Sequence, residues 1–550
     1  MGPALRPALL ESGRWLRTAL HRRVQIDTRT LAVFRIFVGL LVVADLLLRS
    51  RNFRYFYTDE GVAPRSLVLE ASASDPFSIY HLTTDPTLIA ALFVLQGLIA
   101  VQLIVGYKTR LATVLTFLFV ISLDHHNPFV LSYADTLFRL LLFWAVFLPL
   151  GERWSVDAVH AGREPRSAVA NAATALIMGQ MVYMYLTNGV IKSQSDVWTS
   201  GDAAPLVLGI DEITFLLGDT IRQLPALLEL GGLIWFIILL LSPLLIFLPG
   251  RWRYPLIGLF AAGHLSFAIS VRIGAFPYVA LAGLLVFLQT QFWDDLQRLG
   301  RYAGIDTERL SARAGSLERV ATHFPSYRLD SDRAVRIRGH AYTLALGAVV
   351  VTLLFVAAVM VFNVGAALAD DGSDRPMEDR VEGTVEETLA ETRGVSQVES
   401  TASRFGVDQP IGWGVFAGPD PRTTDRYYVF PAETEHGEVV DAYTEGPLTY
   451  ERPHDGQLQK QYDTYRERFY MNSVRRGSVQ NAVPEHLAEH VCEQWAEDHD
   501  EELAYVNMYA VHEDVTYETI TDPENRDREY LEIYRHGCSD NNSKVIEPPE

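Results

Sequence analysis

Lysine is nearly missing from this chain: of 47 basic residues only Lys108, Lys192, Lys460 and Lys544 are lysine, and the other 43 are arginine. Cysteine is as scarce, with Cys492 and Cys538 the only two, so a Cys-x-x-Cys redox or zinc motif is excluded. The chain also lacks a phosphate-cradling glycine loop, a His-Glu-x-x-His pair and a strained Gly-x-Ser-x-Gly elbow. These absences remove the soluble-enzyme classes that such motifs announce, and nothing in the charge pattern points to nucleic acid. The few lysines then become informative. Lys192 closes the apolar stretch Tyr-Leu-Thr-Asn-Gly-Val-Ile-Lys, where partial desolvation favours a neutral amine able to act as a base, a role arginine cannot fill. The competing reading is a lysine that snorkels from a helix end to the membrane interface.

What the chain has in quantity is apolar surface. Hydrophobic residues make up 49% of the 550 and fall in long runs, the mark of a polytopic membrane protein. Nine candidate spans are predicted: 31–48, 88–106, 110–123, 135–150, 168–190, 226–249, 254–270, 274–291 and 341–366. The third and fourth are short for a hydrocarbon layer of about 30 Å. Residues 1–30 contain Arg6, Arg14, Arg17, Arg22, Arg23 and Arg29 without an apolar core, so they read as a cytoplasmic lead-in and not as a cleavable signal.

The net charge of -20 is unevenly shared. Residues 370–550 hold 41 acidic against 16 basic residues, a net of -25, and the remaining 369 hold 26 against 31, a net of +5. A separate, acidic, soluble domain is therefore expected over 367–550. An acidic surface poor in lysine suits a protein from a salty environment, such as a haloarchaeal member of its family, because molar salt shortens the Debye length to roughly 3 Å and removes self-repulsion.

Basic residues also set an expected topology. They gather before span 1, at Lys108 and Arg110, at Arg153, Arg163 and Arg166, at Arg251 and Arg253, and between Arg298 and Arg338. The positive-inside rule then places the N-terminus in the cytoplasm, and nine spans place 367–550 outside the cell membrane. The expected domains are 1–30, a transmembrane domain over 31–295, a basic linker over 296–340, a final span over 341–366 and the acidic domain. Cys492 and Cys538 both fall in that domain, where a disulfide could persist, with two free thiols as the alternative.

Polar residues near the spans are costly unless paired. Asp135 and Arg139 are four apart and expected to neutralise each other, whereas Arg35 and Asp45 lack such a local partner and are expected to make inter-helix contacts. His125 and His126 point to different faces of any regular element, so no metal site is expected. Within 367–550, residues 427–442 read as a β-hairpin around His436-Gly437, 480–498 as a helix capped by Asn481, and the alternating Leu503, Tyr505, Asn507, Tyr509 and Val511 as a strand. The expected fold class is an all-α membrane bundle followed by a small α+β domain.

Several of these stretches resemble a known family. They are Tyr57 to Arg65, Gly106-Tyr107-Lys108-Thr109-Arg110, Asn127 to Asp135, Phe143 to Gly151 and Trp154 to Ala158, then Gly189-Val190-Ile191-Lys192 with Asp196 and Trp198 to Gly201, and His264-Leu265 followed by Ile273 to Ala282. Together they are similar to the horizontally transferred transmembrane (HTTM) domain, a microbial relative of the membrane part of vitamin K-dependent gamma-carboxylase. The resemblance covers about 25–295. A second stretch, Ile411 to Phe416 with Pro419 and Pro421, then Tyr427 to Pro431 and Gly437 to Asp441, resembles the extracytoplasmic segment that often follows this domain.

The resemblance implies quinol chemistry. In the carboxylase the matching lysine deprotonates vitamin K hydroquinone, so Lys192 would be the base, with Asp196, Trp198 and His264 shaping its pocket and Asn127 and Asp135 as further candidates. Menaquinol, entering from the bilayer, would be the cofactor. The carboxylase carries a histidine near Asp135 that this chain lacks, and its propeptide-binding region is not recognisable here, so a quinol oxygenase or epoxidase is expected ahead of a glutamyl carboxylase. A non-catalytic anchor that presents the acidic domain to an extracellular protein is the alternative, and a transporter reading lacks the internal repeat it needs.

Overall fold

The computed structural model describes residues 18–71, 76–304, 318–326, 332–369, 420–539, 541–549 and part of 384–404. The stretch Ile411–Pro419 and most of the arginine-rich lead-in lie outside the described residues. The described residues are mostly helical, with 62% of them in helices, and carry one small sheet region near the C-terminal part.

Apolar runs become helices because a chain in hydrocarbon must satisfy its own backbone polar groups. The main ones are α1 (Thr28–Arg51), α2 (Pro86–Val105), α3 (Thr109–His126), α4 (Tyr133–Ala145), α5 (Ala172–Lys192), α6 (Asp196–Ser200), α7 (Pro225–Leu240), α8 (Tyr254–Ser270), α9 (Phe276–Leu285), α10 (Thr290–Tyr302) and α11 (Asp332–Ala369). Local chemistry fixes their starts. Asp27 accepts the N–H of Arg29 at 2.8 Å ahead of α1, and Ser132 with Asp135 and Asn171 with Thr174 form capping boxes on α4 and α5. The short antiparallel pair β1 (Ile26–Asp27) and β2 (Ala168–Val169) ties the entries of α1 and α5 together.

A helix lies at each of the nine expected positions, but the count of nine crossings is not matched. Among the described residues three helices are long and apolar enough to cross a bilayer: Thr28–Arg51, Pro86–Val105 and Arg333–Asn363. A fourth would require α9 and α10 as one span, and they meet at a bend of 98°. Two of the expected runs, 226–249 and 274–291, are interrupted where Pro243 and Pro277 stand at helix starts.

The α+β domain is built on one long strand. β3 (Thr424–Val429) and β4 (Pro431–Thr434) run end to end along one edge of β7 (Leu503–Asp514), and β8 (Arg528–Gly537) covers the other edge, all antiparallel. β5 (Val439–Asp441) and β6 (Gly446–Pro447) extend the β4 side. Two helices, α12 (Tyr465–Arg475) and α13 (Ala482–Asp498), complete the domain. Val506, Met508 and Ala510 of β7 join the core with Leu487, Ala488 and Trp495 of α13, and Cys492 is bridged to Cys538 just beyond β8.

Two sequence expectations need correction here. The hairpin exists only as β4 and β5 around Gly437, whose φ of 82° suits the turn; Tyr427 to Val429 pair instead with β7, a partner 80 residues away. Asn481 does precede α13, but at φ 74° it makes no side-chain capping bond, because its backbone is already committed to the left-handed turn.

Buried ion pairs dock this domain onto the helical part. The N–H groups of Asp211 and Glu212, between α6 and α7, each donate to the Asp425 carboxylate at 2.9 Å. Arg526 donates to Asp425 at 2.8 Å and to Asp211 at 3.2 Å, Arg452 pairs with Asp211 and Glu513, and Arg422 with Glu212.

Candidate functional site

Lys192 is the last residue of α5 and is fully enclosed, with no exposed surface. Gly189 makes this possible one turn earlier, since a Cβ there would lie 3.0 Å from Leu239 and 3.1 Å from the Leu240 backbone, so α7 can approach α5 closely. After α5 the chain turns at once into α6, which brings Trp198 over the lysine: Nζ stands 4.0 Å from the centre of the indole. A cation–π contact in a dry setting is worth about 2 kcal/mol.

Trp198 is also a wall of an apolar cavity of about 260 Å³ between α6, α7 and α8. Gly231, Gly232, Trp235, Gly263 and Phe267 line it further. Gly263 is required by shape: a Cβ there would meet the Trp235 ring at 2.6 Å. Trp198 Nε1 is buried without a hydrogen-bond partner among the described residues.

His264 is reached through the same aromatic wall. Its ring lies 5.3 Å from Trp235 in an edge contact, it is wholly buried, and the Tyr185 hydroxyl is 2.9 Å from Nε2. Tyr185 in turn stacks on Phe260 at 4.2 Å. Trp198 and Trp235 line the cavity, while Lys192 lies behind Trp198 and His264 with Tyr185 behind Trp235, in contact with the wall and not with the cavity itself. Tyr185 sits two turns before Lys192 on the same helix face, a spacing that would have singled it out.

Other expected site residues lie elsewhere. The Asp196 side chain is exposed at the start of α6 and does not line the cavity. Asn127 is buried as a turn former: Nδ2 donates to the Phe56 carbonyl at 2.9 Å, and Oδ1 accepts the Phe129 N–H at 3.1 Å. Asp135 belongs to a second centre, a buried charge cluster at the contact with the α+β domain. It accepts Arg466 Nη2 at 2.9 Å and Arg49 Nη2 at 3.4 Å. The expected Asp135–Arg139 pair is not formed, because Arg139 faces Asp124 at 3.7 Å. Asp45 has a local partner after all: it accepts Arg49 at 2.8 Å, four residues on, and Arg466 from α12. Arg35 does bridge helices, donating to the carbonyls of Ile104, Leu150, Arg153 and Trp154. A cavity of about 370 Å³ adjoins this cluster, with Leu41, Phe138 and Val279 on its apolar side and Tyr465 and Arg466 at its head.

The family model of the HTTM domain matches residues 24–293, a stretch that contains the Lys192 cavity and ends inside α10. The chain carries an HTTM domain. The HTTM domain makes it a membrane protein related to gamma-carboxylase. No curated protein and no solved structure matches the chain. In this HTTM protein the family match stops short of α11 and of the whole α+β domain, so Arg422, Arg452, Arg466 and Arg526 come from outside the matched domain, while their partners Asp45, Asp135, Asp211 and Glu212 lie within it.

Proposed function

We propose that this HTTM protein is a quinol-dependent membrane oxygenase, epoxide-forming in type, with Lys192 as its base. The observation that carries this reading is the enclosure of Lys192 Nζ on the ring of Trp198, the residue that also bounds a largely apolar cavity. The cavity suits a flat apolar ring, because two indoles supply faces, three glycines leave room, and Trp198 Nε1 is an unused donor for a ring oxygen. When bound, a quinol supplies a hydroxyl that must lose its proton before reacting with oxygen. Lys192 Nζ would receive that proton, the Trp198 face would steady the resulting ammonium, and the Tyr185–His264 pair would hold Trp235 in place. The binding half of the reading is tested by titrating the detergent-solubilised protein with menaquinone and following tryptophan quenching. A saturable signal that shrinks in Trp198→Phe is expected; quenching that is linear and equal in both proteins removes the site.

The same reading places the N-terminus in the cytoplasm, takes all nine helical positions as crossings, and puts the α+β domain outside. The disulfide supports that side, since such bridges persist in oxidising compartments. The acidic, lysine-poor composition supports a salty habitat.

A second reading, an anchor that presents the α+β domain to a protein partner, is favoured by the buried docking network that joins that domain to the helical part. It is weakened by the surface of the domain, where Val439, Tyr517, Leu531 and Val545 are the large apolar side chains exposed among the described residues, on four different segments. The two readings separate at Lys192, which an anchor would allow to be arginine.

A further inference from the structure

β7 has two faces, and only the one carrying Val506, Met508 and Ala510 belongs to the main core, although Val511 at the far end of the opposite face joins a smaller cluster with Tyr427, Val429 and Leu458. On that opposite face, Tyr505, Asn507 and Tyr509 follow at every second position and so point the same way. All three are buried, Asn507 completely. What covers them is the segment 541–549, which has neither helix nor strand structure of its own.

The segment is held through its main chain. Asn507 Nδ2 donates to the Lys544 carbonyl at 2.8 Å, and Asn507 Oδ1 accepts the Ile546 N–H at 2.7 Å. Tyr509 donates its hydroxyl proton to the Ile546 carbonyl at 3.2 Å, and Lys544 Nζ lies 5.3 Å from the Tyr505 ring centre. A carboxamide that offers its donor and its acceptor to main-chain atoms two residues apart mimics a neighbouring strand and reads any extended backbone, whatever its side chains. The segment buries little in return: Ile546 and Pro548 are half-buried, while Lys544, Val545, Glu547 and Pro549 are exposed. Such a cover can be exchanged for another chain offering the same backbone.

We propose that this face of β7 is a docking groove for an extended segment of a partner protein, and that residues 544–548 are its resident occupant. The alternation of contacts names the chemistry of the partner segment: a basic residue over Tyr505, an apolar residue two positions on, and proline two further, with the intervening side chains free. The proposal does not depend on quinol chemistry, because every residue it uses lies outside the HTTM domain.

The test uses the full chain. Val545 is exposed and both natural cysteines are bridged, so Val545→Cys accepts an environment-sensitive dye without competition. A free peptide with the sequence of residues 541–550 should release the labelled segment saturably. The same peptide N-methylated at the nitrogen that matches Ile546 should need at least about tenfold more, having lost one hydrogen bond to a buried partner. A second variant, Asn507→Leu, should bind a fluorescent copy of the peptide at least about tenfold more weakly than a chain ending at Asp540 with Asn507 intact. No release at millimolar peptide would overturn the proposal, as would equal action of the N-methylated peptide. Dimers that form on concentration alone, without peptide, would also overturn it, by making a second copy of this chain the occupant.

Discussion

Replacing Arg466 by methionine tests how the two parts of the molecule are held together. The guanidinium arrives from α12 and ends between Asp45 and Asp135, where it is 3% exposed, and it donates a further bond to the Val130 carbonyl at 3.2 Å. The cluster balances as it stands: Asp45, Asp124 and Asp135 face Arg49, Arg139 and Arg466. Methionine keeps most of the volume and removes one positive charge, which leaves a carboxylate unpaired in a dry contact. Stranding one partner of a buried pair costs about 3–5 kcal/mol. Asp45 keeps 22% of its side chain exposed and can recruit water, so the lower end, about 3 kcal/mol, is expected. The assay is denaturant unfolding of the protein in detergent, followed by circular dichroism. Asp135→Asn in the same background should restore more than half of the loss, since it removes the stranded charge. A loss below about 1 kcal/mol, the level of an exposed pair, or no recovery in the double variant, would refute the docking argument.

Glu467, the next residue of α12, gives a pH signature. Burial pushes its carboxyl up from the usual 4.5 to about 7, against the N–H of Asp463 that it accepts at 2.7 Å. Below pH 4.5 folded and unfolded chains both hold the proton; between 4.5 and 7 only the folded chain does. Stability should therefore fall as pH rises through that window and level off above it, by up to about 3 kcal/mol, and melts of Glu467→Gln should lack the slope. Cys492→Ser opens a bridge that spans 46 residues and should destabilise the α+β domain by about 4 kcal/mol, read as a melt that reductant no longer lowers. Gly263→Ala drives a Cβ against Trp235 and should abolish saturable menaquinone quenching while leaving the disulfide-dependent melt in place.

Much of the helical part was legible because apolar runs need no partner to announce themselves: a helix stands at all nine expected places. The family resemblance set Trp198 beside Lys192, and the two are in contact, with six residues and one turn between them. What depended on distant segments was not. The Asp135–Arg139 pairing followed from helix spacing, but Arg466, 331 residues beyond Asp135, competes for that carboxylate and wins by burial. Tyr427 to Val429 were read into a local hairpin, and a strand 80 residues on takes them instead. Asp196 was placed in the pocket by the family resemblance, yet α6 turns it to solvent. The nine crossings are not confirmed by helix length: three helices among the described residues are long and apolar enough to cross, and Pro243 and Pro277 interrupt two of the runs that hydropathy counts as continuous.

The central claim, that enclosed Lys192 acts as a base on a quinol, is most directly tested by oxygen uptake. The purified protein would be supplied with reduced menaquinone at high salt, and wild type compared with Lys192→Arg and Lys192→Ala. The account predicts uptake by the wild type with the quinone recovered as epoxide, and its loss in both variants while the unfolding transitions stay in place. Uptake that survives in Lys192→Arg, or a wild type that consumes no oxygen and retains no quinone, would contradict it.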